Sequence, residues 1–261
     1  MVAPLAHDRT GEGQPLLLIH GLGSNRRVWD APLGLLQRER EVIAVDLPGF
    51  GDSPALTVPQ TPPALADALE ATITALGLAK PAVAGNSLGG LLSLELARRG
   101  AVSSAVALSP AGFTSRREAR FASLSLALSR AAATAIAPAL PTLVNSSAGR
   151  TLLTAQLVAH PSAVPPDEML VAVRGLVECE GFDSTRRELF EYEWTHREEL
   201  PVPATVAWGA KDRLLIPRQA RRAEAWIPGI RSFELPECGH VPCWDNPPLV
   251  ARTILEGTST T

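Results

Sequence analysis

Six short aliphatic runs, at 16–20, 41–46, 81–86, 104–108, 204–208 and 230–235, alternate with stretches whose apolar residues recur at helical spacing. A chain of this form has few ways to fold. Strand, helix and strand in succession pack as a βαβ unit, and such units in series build a mostly parallel α/β sheet with helices on its faces. Four of the six runs end at or immediately before a Gly, a Pro or an acidic residue, and a fifth, 104–108, ends two residues before Pro110, where a chain leaves a sheet. The spacing predicts helices over 27–38, 63–76, 88–99, 217–226 and 247–256. Three of them carry Pro at or near the first turn, where its missing N–H costs nothing.

The alternation stops at 112 and resumes at 201. The segment between reads as helices with no strand, which predicts a helical cap over 112–200 inserted into a core built from 1–111 and 201–261. Within it Phe121, Leu124, Leu128, Ala131 and Ala135 repeat at intervals of three and four, giving one apolar helix face. Further helices are expected over 150–159, 166–179 and 184–199. Phe182, Phe190, Tyr192 and Trp194 cluster near the end of the segment. Plain packing is the more common role for such a group; lining an acyl or aromatic pocket is the other.

Composition narrows the class. Hydrophobic residues make up 46% and charged residues 20%, the balance of an ordinary compact protein rather than a disordered one. With 24 Lys and Arg against 27 Asp and Glu, the net charge of -3 is too low to hold a polyanion, so nucleic acid is excluded as a partner. The Arg pairs at 26–27, 116–117, 186–187 and 221–222 are dispersed and read as solvated helix faces. The most apolar long stretch, 124–144, is interrupted by Arg130, Pro138 and Pro141, so no membrane span is expected. The first residues show no basic and apolar leader pattern, and the three cysteines are widely spaced, which together predict a cytoplasmic protein without a disulfide framework.

The chemistry starts at Gly85-Asn86-Ser87-Leu88-Gly89, where a predicted strand meets a predicted helix. A sharp turn there brings the backbones two before and two after the Ser together, so both positions need a residue without a side chain, and both are Gly. The turn lifts the Ser87 hydroxyl above the sheet. The amide of Leu88 opens the next helix, whose positive end favours a developing oxyanion. A hydroxyl is a weak nucleophile at neutral pH, so it needs a base, and the base needs an orienting partner. Of the five histidines, only His240 lies on a loop after the last predicted strand, shaped by Gly239 and Pro242. Asp212 follows the strand at 204–208 and would lie at the same sheet edge; the loop after the preceding strand, 109–112, has no acid to compete. A surface Asp capping the next helix is the alternative role for Asp212.

Other loops have lesser parts. His20-Gly21-Leu22-Gly23 supplies a turn whose Leu22 amide is expected to be a second oxyanion donor, with His20 expected to bond the loop backbone. The carboxylates of Asp46 and Asp52 are expected to fix backbone amides. Cys238, His240 and Cys243 form a cluster too small to close a metal tetrahedron, and neither metal nor cofactor is expected.

On these motifs, taken in order from His20–Gly23 through Asp46–Ser53, Gly85–Gly90 and Trp208–Asp212 to Gly239–Pro242, the chain resembles the α/β-hydrolase superfamily, especially its small capped esterases, haloperoxidase-like perhydrolases and carbon-carbon bond hydrolases. The resemblance implies an eight-stranded, mostly parallel sheet with the cap over the active site. The segment before Leu16 is too short for a full pair of leading strands, so the first is expected to be missing or abbreviated. Asn86 stands where many relatives have His, as in the carbon-carbon hydrolases, whose longer Gly-Pro-Gly type loop is absent at Gly21–Ser24. The function implied is cleavage of a small-molecule carboxylic ester by Ser87, His240 and Asp212, with the Leu22 and Leu88 amides as oxyanion hole. Carbon-carbon cleavage of a vinylogous diketone and a non-catalytic receptor are the alternatives. Asp rather than Ser at position 87 would have pointed to dehalogenase or epoxide hydrolase chemistry.

Overall fold

The computed structural model describes residues 3–259, so residues 1, 2, 260 and 261 of the two expected core segments lie outside the described residues. Seven strands form one sheet: β1 (His7–Thr10), β2 (Gln14–Ile19), β3 (Arg40–Val45), β4 (Ala82–Asn86), β5 (Ser104–Leu108), β6 (Ala204–Gly209) and β7 (Arg231–Leu235). They lie in the order β1-β3-β2-β4-β5-β6-β7, all parallel except β1, which runs antiparallel to β3. Every residue of β4, β5 and β6 is buried, as expected of strands covered on both faces.

The strand period of two divides the core. Leu17, Ile19, Ile43 and Val83 pack on one face with α2 (Pro62–Ala75), α3 (Leu88–Arg98) and α9 (Ala220–Trp226). Their neighbours Leu16, Leu18, Val42 and Ala82 pack on the other with α1 (Asp30–Leu36) and α11 (Pro247–Gly257). The single helix predicted over 27–38 is instead a 3-10 turn at Arg26–Trp29 followed by α1. Asn25 sets its start by accepting from the Arg27 amide at 3.0 Å.

Among the described residues the sheet has seven strands, one fewer than the eight of the resemblance, as expected from a segment before Leu16 too short for a full pair of leading strands. The one leading strand present, β1, was not among the six aliphatic runs. Its sequence, His-Asp-Arg-Thr, has no apolar alternation, and it forms because β3 offers an open edge, with His7 opposite Val45 and Thr10 opposite Val42. Three residues turn the chain from β1 into β2. Gly11 makes this possible with φ of 76°, where a side chain would lie 2.4 Å from the Arg40 carbonyl oxygen.

Between β5 and β6 the chain forms α4 (Arg116–Ala135), α5 (Leu140–Leu143), α6 (Ser147–Thr154), α7 (Pro166–Glu178) and α8 (Phe182–Glu191). Ser115 and Glu118 start α4 by bonding reciprocally to each other's backbone amides. These helices share a small core of their own that includes Leu140, Val144, Val158 and Met169. The helix expected over 184–199 ends at Glu191. Beyond it the chain is drawn out against the sheet domain, where the Trp194 amide bonds the Gly112 carbonyl at 3.2 Å and its ring packs on Phe113.

On α4 the apolar repeat faces outward. Phe121, Leu124 and Leu128 are 57%, 61% and 61% exposed, whereas Ala119, Ala122, Leu126 and Ala133 are buried. No single described helix is long and apolar enough to cross a membrane.

Candidate active site

The order of the sheet reverses between β2 and β4, with β3 on one side of β2 and β4 on the other. Open α/β sheets form a crevice beyond the carboxyl ends of their strands at such a point. The loops after β2, β4, β6 and β7 carry Leu22, Ser87, Asp212 and His240 to that edge.

Ser87 occupies the turn from β4 to α3 with φ of 58° and ψ of -114°, a backbone region costly for any residue with a side chain. The surroundings hold it there: its amide donates to the Leu108 carbonyl at 2.9 Å, and its carbonyl accepts from Leu91 at 3.0 Å and Ala111 at 3.1 Å. A Cβ on Gly85 would lie 2.1 Å from the Gly89 carbonyl oxygen, and one on Gly89 would lie 2.1 Å from that of Ile19. Both glycines are therefore required by backbone contact. Leu88 is the first residue of α3, a position whose N–H has no partner within its own helix.

Asp212 is no surface cap; it is 3% exposed. Its Oδ1 accepts from the amides of Leu214 at 2.9 Å and Leu215 at 2.8 Å, and its Oδ2 lies 2.8 Å from Nδ1 of His240. A carboxylate only accepts, so Nδ1 carries the proton and Nε2 is the basic nitrogen of the ring. The two loops approach backbone to backbone. A Cβ on Gly209 would lie 2.1 Å from the Gly239 carbonyl oxygen, and the Lys211 amide bonds the Cys238 carbonyl at 2.8 Å.

Asp245, at the end of α10 (Pro242–Asp245), was not singled out from sequence. Its carboxylate accepts from Gly239 N at 2.7 Å on the His240 loop, and from Ala159 N at 3.0 Å and His160 N at 2.8 Å on the segment after α6. One side chain thus ties the helical insertion to the loop bearing His240. Only the short spacing from His240 to an acid hinted at it.

His20 is buried and holds the loop backbone, with Nδ1 donating to the Gly21 carbonyl at 2.7 Å and Nε2 accepting from the Leu47 amide at 2.9 Å. Burial lowers its pKa and keeps it neutral. Asp46 accepts from the amides of Arg26 at 2.7 Å and Asp52 at 2.9 Å, the structural work expected of it. Asn86 donates to the carbonyls of Leu108 at 3.2 Å and His240 at 2.9 Å, so its amide joins the Ser87 turn to the His240 loop. Cys238 and Cys243 are buried thiols, and burial pushes Cys238 up to about 12.

Ser87 and His240 line one cavity of about 390 Å³ between the sheet edge and the inserted helices, with Leu22 and Asn86 also in its lining. Its walls are mostly apolar, with Leu153, Leu157, Val173, Leu176 and the aromatic Phe190 among them. His240 is the only titratable side chain in the lining. Of the aromatic cluster, Phe190 reaches this wall, while Phe182 and Trp194 are fully buried in packing. The structure therefore brings Asp212 and His240 into contact and sets Ser87 and His240 on a shared wall. Among the described residues no hydrogen bond within 3.5 Å joins Ser87 to His240, a bond that in empty sites is often long and tightens with substrate bound.

A family model for the alpha/beta hydrolase fold matches residues 14–247. The chain is 32% identical over 240 residues, 88% of its length, to the dihydrolipoyllysine-residue acetyltransferase component of the acetoin cleaving system of Pseudomonas putida, and spans 59% of that relative. It is 37% identical over 90 residues, 34% of each chain, to a pimeloyl-[acyl-carrier protein] methyl ester esterase of Legionella pneumophila. Among solved structures, a thermophilic esterase from Thermogutta terrifontis superposes with a TM-score of 0.73 at 25% identity, over 96% of this chain and 91% of that one.

Proposed function

Because the chain belongs to the alpha/beta hydrolase fold family, we propose that it is a serine hydrolase cleaving uncharged carboxylic esters through an acyl-enzyme. The observation that carries this reading is a strained Ser87 sharing an apolar cavity with His240, whose other ring nitrogen is bound to a buried Asp212.

In this mechanism an ester carbonyl lies over Ser87. Nε2 of His240 takes the hydroxyl proton as Oγ attacks, and Asp212 stabilises the imidazolium and holds its tautomer. The amides of Leu22 and Leu88 bind the oxyanion, helped by the positive end of α3. His240 returns the proton to the leaving alcohol, and water repeats the sequence to release the acid. The aliphatic lining suits an apolar acyl or aryl group. Because it lacks a cationic side chain, it favours neutral esters over acidic carbon-carbon substrates.

The test is Ser87→Ala, which is expected to lower turnover of nitrophenyl esters by several orders of magnitude in folded protein. A series of increasing acyl length then maps the cavity. Covalent labelling of Ser87 by a fluorophosphonate separates an activated nucleophile from the pocket of a receptor. Undiminished hydrolysis by the variant, or no labelling of the folded wild type, would end the proposal.

A further inference from the structure

Helix α4 departs from the usual surface helix, which turns polar side chains to water: beside its buried face of Ala119, Ala122, Leu126 and Ala133 it carries a second, exposed apolar face. Phe121, Leu124 and Leu128 form one stripe, each more than half exposed, and Arg117 and Arg120 are exposed at its N-terminal end. The stripe adjoins the entrance to the cavity. Ala132 on α4 and Leu152 on α6, the latter 75% exposed, both line the space that holds Ser87. A hydrogen bond of 2.8 Å from Ser125 to Gln156 ties α4 to the chain just beyond α6.

The charge at the rim is uncompensated. Among the described residues no salt bridge includes Arg116, Arg117 or Arg120, and Glu118, the only acid on α4, is buried and held by Arg218 and Arg222. We infer that this face docks on the surface of an anionic lipid layer, the stripe entering the acyl boundary and the arginines meeting headgroup phosphates. Exposed aliphatic and aromatic side chains flanked by basic ones are what a helix lying in that boundary requires. A second copy of the chain would cover the stripe but bring no acid on α4 to the arginines. An acidic protein would answer the arginines but not the leucines. Docked in this way, the cavity entrance faces the layer, and an apolar substrate reaches Ser87 without crossing water.

The inference goes beyond ester cleavage and is tested without turnover. The full chain is sedimented with vesicles of phosphatidylcholine alone and of phosphatidylcholine with phosphatidylglycerol. Wild type is expected to bind the anionic vesicles, more weakly at high salt. Phe121→Ser with Leu124→Ser and Leu128→Ser is expected to bind at least about tenfold more weakly. Arg117→Gln and Arg120→Gln are each expected to cost about fivefold on anionic vesicles and little on neutral ones. Circular dichroism and thermal melting check that the variants are folded; the arginine pair provides an independent arm should the triple variant fail to fold. No binding of wild type to anionic vesicles, or equal binding by folded wild type and triple variant, would overturn the inference. So would a wild-type dimer that the triple variant converts to monomer with no vesicle binding by either.

Discussion

Replacing Asp212 by Asn separates the two tasks of that carboxylate. In Asp212→Asn one oxygen remains to accept from the Leu214 and Leu215 amides, now 2.9 and 2.8 Å away, and the new NH₂ group faces Nδ1 of His240. A donor there forces Nδ1 to accept, moves the ring proton to Nε2 and blocks the base. The fold should survive while kcat falls by about 10⁴, or about 5.5 kcal/mol of barrier. Asp212→Ala instead leaves two buried amides without an acceptor, at about 1–3 kcal/mol each. For a domain of this size that lowers the melting temperature by about 2–4 °C per kcal/mol. Steady-state hydrolysis of a soluble nitrophenyl ester and a melting curve on both variants read the two effects. If Asp212→Asn keeps activity within about tenfold of wild type, the tautomer argument fails; if it melts as low as Asp212→Ala, the retained oxygen does not do what the geometry requires.

Three further outcomes are expected. Gly89→Ala drives a Cβ to 2.1 Å from a backbone oxygen and should destabilise the fold by roughly 3 kcal/mol or more, whereas Gly34→Ala, with nothing within 4 Å, should be neutral or stabilising by up to about 1 kcal/mol; equal melting temperatures would contradict this. Asp245→Ala removes the acceptor of three backbone amides and frees the His240 loop. It should lower kcat by about tenfold or more with little change in KM, and an unaltered kcat would show that the tie is incidental. Burial would raise the Glu118 carboxyl, but Arg222, the Ser115 amide and hydroxyl, and Arg218 hold it at about 2. Its folded pKa lies below its ordinary one, so its contribution to stability is complete above about 4.5 and lost as pH falls toward 2. The stability gap between wild type and Glu118→Gln should therefore close over that interval, and a constant gap would refute the ion-pair origin.

The sheet was legible because buried parallel strands need unbroken apolar runs, and 104–108 matches β5 residue for residue. The Ser87 turn was legible for a steric reason, since Gly85 and Gly89 are demanded by backbone contacts that no side chain could share. Strand β1 was hidden because its residues owe their conformation to an edge 32 or more positions away, with Thr10 opposite Val42. Periodicity found the stripe on α4 but not its direction: Phe121, Leu124 and Leu128 repeat as a core face would, and only their surroundings show that they point outward. Asp245 was missed because its partners are backbone amides, which leave no mark in side-chain identity.

The neutrality of the cavity bears on what happens after the bond is cut. In the proposed reaction an ester enters without charge, and the acid formed from it ionises. Walls that are mostly hydrocarbon and carry no Lys or Arg hold an uncharged group more readily than an anion, so one lining suits the reactant better than the product. Such a chamber would resist inhibition by its own acid, with directionality supplied by solvation rather than by any moving part.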